Sequence, residues 1–171
     1  MSIISLSSGV QNNLSIMPRW PATQVLIDSL AWQKLQAVQA SLPGHLGLIL
    51  TRAYEPRVSE LGRARTAFRR AGICLFGLLY RHRKEEIQDI FGSNGHDLDG
   101  THIDVSFSIN GQRVRLLPLS VFTPMSWQAR RIKKFDEELS MVLAALLAQG
   151  FQLHRNATES LQIHCDLKPV L

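Results

Sequence analysis

Apolar and polar residues follow distinct rhythms along this chain, and each rhythm predicts a different element. The sharpest lies at the centre. From Thr101 to Ile109 the two kinds alternate, with Ile103, Val105, Phe107 and Ile109 on one side and His102, Asp104, Ser106 and Ser108 on the other. Period two predicts a strand with one buried face. Asn110-Gly111 follows. Both residues tolerate positive φ, so a two-residue hairpin turn is expected, with "QRVRLLPL" as the returning strand. The alternation recurs near the end. "FQLH" and "SLQIHCDL" read as two strands around the turn "RNATE". Leu161, Ile163, Cys165 and Leu167 share one face of the last strand, and Ser160, Gln162, His164 and Asp166 share the other.

Helical spacing governs most of the remainder. Leu26, Leu30, Ala31, Leu35 and Val38 form a stripe, with Thr23 as its cap and Pro43-Gly44 as its end. "VSELGRARTAFRRAG" carries Leu61, Ala64, Ala67, Phe68 and Ala71 on one side, and "LLYRHRKEEIQDIFG" reads as a further helix or turn-rich segment closed by Gly92. Ser126 is the expected cap of one long amphipathic helix reaching Gly150, with Ile132, Phe135, Leu139, Val142, Leu143 and Leu146 as its stripe. "LGLILTRAY" is a continuous apolar run, expected as a short buried strand stopped by Glu55-Pro56. Residues 1–20 are rich in Ser, Asn and Gln and are expected to be a loose arm, with 21–171 as a single domain. The sum is an α+β fold: a small antiparallel sheet with N-terminal helices and one long helix packed on it.

Composition narrows the class. A chain of 171 residues, 45% hydrophobic and 19% charged, has the balance of a globular domain with a real core. No apolar run reaches the roughly 20 residues that span a bilayer. The first residues lack a basic region followed by a compact apolar one, so no Sec signal is expected. Cys74 and Cys165 lie far apart in apolar patterns and are expected as buried free thiols. The net charge of +5 favours anionic partners such as nucleic acid, membrane surfaces or acidic wall polymers.

The candidate chemistry sits where the central strand begins. Two histidines and three aspartates fall between His96 and Asp104, and a later strand adds His164 on its polar face. If the two strands are neighbours, imidazole and carboxylate groups converge on one side of the sheet. Three such ligands and an open position describe a catalytic zinc site. The plainer alternative is a hydrogen-bonded pair beside an ordinary Asn/Asp/Gly turn.

These residues resemble the D-alanyl-D-alanine metallopeptidases and their Hedgehog-type fold over roughly residues 46–168. "GTHID", Gly100 to Asp104, resembles the family's G-x-A-x-D, with His102 at the small position. "LTRAYEP" resembles the "SGYR" segment, and "LQIHCDL" the last strand. The resemblance implies zinc on His96, Asp104 and His164, with His102 as a spare ligand or water-orienting group. Position 97, where the family's first histidine falls, is Asp97, so either it or His96 is the first ligand. The family's substrate-binding arginine falls on Glu55, with Arg52 and Arg57 nearby. Its catalytic glutamate falls on Leu161, and Glu159 is the nearest carboxylate. The implied activity is metal-assisted hydrolysis of peptide bonds in peptidoglycan, by a protein released or delivered to the wall.

Two other readings compete. One is a degenerate member that keeps the scaffold and binds peptide without cutting. The other is a basic module for nucleic acid or a protein partner, resting on Arg63, Arg65, Arg69, Arg70, Arg130, Arg131, Lys133 and Lys134. Aromatic residues are only 7% of the chain, which leaves few platforms for stacking bases.

Overall fold

The structure is a computed structural model that describes residues 2–56, 59–87, 91, 99–115, 122–154 and 161–167. The strands are β1 (Ile3–Ser7), β2 (Gly9–Gln11), β3 (Leu14–Ile16), β4 (Gln24–Asp28), β5 (Leu46–Arg52), β6 (His102–Ile109), β7 (Gln112–Arg113), β8 (Phe151–Leu153) and β9 (Ile163–Leu167). The α-helices are α1 (Ser29–Ser41), α2 (Glu60–Leu79), α3 (Met125–Lys134) and α4 (Asp136–Ala148), and a 3-10 segment spans Arg81–Glu86. Helices beside a sheet make this the expected α+β class. The sheet is larger than expected and mixed. Its order is β2-β3-β5-β6-β9-β8, with β7 folded back on β6. The pair β3–β5 is parallel, and the remaining pairs are antiparallel.

β6 is the strand that period two predicts, but it is buried on both faces instead of one. Asn110 and Gly111 take φ of 50° and 76°, which allows the tight reversal into β7. Ile103, Val105 and Phe107 enter the core, where Leu48, Leu50, Ile163, Cys165 and Leu167 meet them from the flanking strands. Ala31, Trp32, Leu35 and Val38 of α1 and Leu139, Val142 and Leu146 of α4 close that core from one side. The opposite face is not bare. Ile49, Asp104 and Ser106 are buried there. A separate aromatic group gathers Phe76, Tyr80, Phe91 and Phe122 around α2, where Tyr80 donates its hydroxyl to the Phe122 carbonyl at 2.9 Å.

Several expectations are corrected. Residues 3–16 are not a loose arm: β1 pairs with β4, and β3 extends the main sheet beside β5. Asn12 and Asn13 turn the β2–β3 hairpin at φ of 50° and 63°, a conformation asparagine tolerates better than most residues. Leu14 and Ile16 are fully buried, which explains how so polar a segment is held. The helix expected from Thr23 begins at Ser29. Asp28 is its cap, its carboxylate accepting from the Leu30 and Ala31 amides at 2.9 and 3.3 Å. Val25 and Ile27 alternate inward along β4, so the stripe from Leu26 is a strand followed by a helix. The long C-terminal helix starts at Met125 without a side-chain cap and breaks at Phe135, whose φ of −121° divides it into α3 and α4. Cys74 is exposed rather than buried, whereas Cys165 is buried as expected.

The N-terminal strands carry a stability test. Ile16→Ala should lower the unfolding free energy by about 2–5 kcal/mol, the cost of a cavity at a fully buried isoleucine. A urea melt reads this directly, and a change near zero would return the segment to a loose arm.

Candidate metal centre

The site is built by the register of two strands. In β6–β9, His102 faces Asp166 and Asp104 faces His164. Alternation then sets all four on the same polar face, while Ile103 and Cys165 point into the core. Two neighbouring rungs therefore each carry a histidine and an aspartate, in opposite strand order.

The inner rung is closed. Asp104 has no exposed surface and His164 is buried, and Asp104 Oδ1 lies 2.6 Å from His164 Nδ1. Gln162 donates from Nε2 to the other carboxylate oxygen at a long 3.4 Å. A one-residue bulge in β5 lets Thr51 Oγ1 donate to the Asp104 carbonyl at 2.9 Å and brings Arg52 opposite Asp104. The strand pairing that the candidate ligands required is thus met by Asp104 and His164. His96, Asp97, Glu159 and Arg57 lie outside the described residues.

The outer rung is more open. His102 Nε2 is 2.7 Å from Asp166 Oδ1, and His154 Nε2 is 2.6 Å from Asp166 Oδ2. The two imidazoles stack with centroids 5.6 Å apart and planes 13° from parallel. Exposure rises outward, from 20% for Asp166 and 22% for His102 to 42% for His154. One ligand atom from each residue falls within 4.8 Å of the others, so the group can hold a metal ion. His154 and Asp166 were not among the sequence candidates. Their signal was present in the alternation: "FQLH" sets His154 on the face of Gln152, and Asp166 is two residues beyond His164.

Beside the inner rung lies a cleft of about 600 Å³, lined by Pro21 to Leu26 and Thr51 to Pro56 with the start of α2. Arg52 is one of its walls, but its Nη2 is bound to Glu55 at 2.6 Å. Glu55 is almost wholly buried and also meets Arg65 Nε at 3.5 Å. Burial lowers the Arg65 pKa, Glu55 opposes this, and Asp104 is close enough to add a smaller raising effect. The basic face of the helices is partly engaged inside the protein. Arg65 donates to the Arg19 carbonyl, Arg69 to that of Phe91, and Arg131 to that of Arg115. Asp99 is a turn residue, its carboxylate accepting from the Thr101 amide and hydroxyl at 3.0 and 2.7 Å.

No family model matches the chain, and no curated protein matches it. Fold and site define an α+β protein with a His-His-Asp group able to hold a metal ion. No helix among the described residues is long and apolar enough to cross a membrane.

Two outcomes follow. Asp104→Ala should destabilise the fold by about 1–3 kcal/mol in a denaturant melt, because it strips a hydrogen-bond partner from the buried His164 imidazole. The Cys165 thiol is raised well above its usual range by burial, with Asp104 and Asp166 pushing the same way. A raised folded-state pKa means that the fold favours the neutral thiol, so this stability is complete below the unfolded pKa and lost above it. Unfolding free energy should fall as pH rises past about 8.5, and Cys165→Ala should flatten that slope in urea melts at stepped pH.

Proposed function

We propose that this chain is a zinc-dependent hydrolase of peptide bonds, of the cell-wall peptidase type, on a Hedgehog-like scaffold. Asp104 and His164 are two of the metal ligands, and His96 is the third. One observation carries the reading: a fully buried carboxylate and an imidazole nitrogen from neighbouring strands meet at 2.6 Å, on residues picked out by resemblance to that family. The donor set suits zinc, which takes imidazole and carboxylate together. Gln162 on the second carboxylate oxygen suits the outer partner that orients such a ligand.

Asp104, His164 and His96 would hold the zinc, which would supply Lewis-acid activation for hydrolysis there. The chain's own residues do the rest. His102, two residues along β6 on the same face, is the candidate to orient water, through whichever ring nitrogen is not held at Asp166. Arg52 stands in the wall of the adjoining cleft, where an extended peptide would lie and its carboxylate would compete with Glu55 for the guanidinium. Glu159 is the nearest carboxylate in sequence to serve as base.

A specific observation favours a second reading, a scaffold that holds the ion and binds peptide without cutting. Leu161 stands where the family's glutamate falls, and it is 4% exposed within the core. Elemental analysis and an assay on peptidoglycan fragments separate the two. The first expects one equivalent of zinc in the wild type that His164→Ala lacks, and peptide release lost with it. An equivalent of zinc that His164→Ala lacks, without release by the wild type, would establish the second reading. Full release by His164→Ala would overturn the first.

A further inference from the structure

We infer that His102, His154 and Asp166 form a second site, for a divalent transition-metal ion, distinct from the Asp104–His164 pair. The site stands independently of the proposed peptidase activity. Its three donors come from three neighbouring strands or strand ends. His102 opens β6, Asp166 lies in β9, and His154 follows the end of β8, where its amide donates to the His164 carbonyl at 2.9 Å.

Asp166 makes the argument. Its Oδ1 is buried and has no hydrogen-bond partner, although His102 Nε2 is only 2.7 Å away. Nitrogen and oxygen are close but not aligned as donor and acceptor. That oxygen is therefore one that a cation could take up without breaking an aligned hydrogen bond. Two Nε2 atoms approach the two carboxylate oxygens from stacked rings, and one ligand atom from each of the three residues lies within 4.8 Å of the others. For zinc, with ligand distances of about 2.0–2.2 Å, tetrahedral donors sit roughly 3.4 Å apart. The present 2.6 and 2.7 Å contacts must then lengthen by somewhat under about 1 Å, which an aspartate rotation provides.

The donor set chooses the class of ion. Two imidazoles and one carboxylate suit zinc, cobalt, nickel or copper. Calcium wants six to eight oxygens and magnesium an octahedron of them, which this group does not offer. Three protein ligands, with His154 42% exposed, leave an open coordination position toward solvent. The ion would join β6, β8 and β9 at their open end.

The test is titration of the metal-free full chain with Zn²⁺ by calorimetry, repeated with Co²⁺ to read its visible d–d bands. The variants are His154→Ala and Asp166→Asn, with His164→Ala alongside. The wild type should bind one equivalent that both His154→Ala and Asp166→Asn lose and His164→Ala keeps. The loss should exceed the roughly 10–100-fold that removal of an outer-shell partner costs. Zinc should also raise the melting temperature of His164→Ala but leave the melting temperature of a His154→Ala, His164→Ala double variant unchanged. If His154→Ala titrates like the wild type, the three residues are a hydrogen-bonded clamp and the inference fails. It fails equally if His154→Ala and His164→Ala abolish one and the same equivalent, since the two rungs would then be a single site. Loss of peptide release in His164→Ala bears on the catalytic reading alone.

Discussion

Asp104 holds a carboxylate with none of its surface in water, in the middle strand of the sheet. An isolated charge in that position would cost many kcal/mol, so its surroundings have to satisfy it. The constraint reaches far. It fixes the register of β6 against β9, because a slip of one residue would turn Asp104 into the core and Ile103 out of it. It gives the bulge in β5 a purpose, since the extra residue is Thr51, whose hydroxyl binds the Asp104 carbonyl. It also explains why a face that is polar in sequence is buried in space. That face is a second interior, built around His164, Gln162 and Ser106 instead of aliphatic side chains.

The charges beside it follow the same logic. Glu55 is buried between Arg52 and Arg65, so part of the cleft wall is ionic, and Ala22, Val25 and Leu26 line the same cleft. Such an ionic cluster contributes little net stability, but removal of one member leaves the others exposed to the same desolvation. It sets the orientation of anything that enters, because both signs of charge are held at fixed positions.

Much of this was legible in the sequence, and what was not has physical reasons. The alternation in β6 and β9 and the Asn110-Gly111 turn are local patterns, and the partnership of Asp104 with His164 followed from the polar faces of two strands that could be neighbours. The N-terminal strands are three to five residues long and mostly polar outside Leu6, Leu14 and Ile16, so no periodic signal rises above Ser and Asn. Asp28 was hidden because the apolar residues before it happen to continue the helical stripe after it. The break at Phe135 leaves no mark in a run of good helix formers. His154 was passed over because its partners, His102 and Asp166, are brought to it only by the order β6-β9-β8. Composition did point to the two thiols as alike, yet Cys74 lies on the exposed side of α2 and Cys165 in the sheet.

The pairing of Asp104 with His164 spans sixty positions of chain. Its central strand finds one neighbour early, in β5, and the other only when β9 exists. A growing polypeptide can therefore form β3, β5 and β6 while the buried carboxylate still lacks its imidazole. Pairing at such separation is slow, since chain entropy must be given up before the contact forms. During synthesis both His–Asp rungs therefore stay incomplete until residues 164 to 166 have emerged.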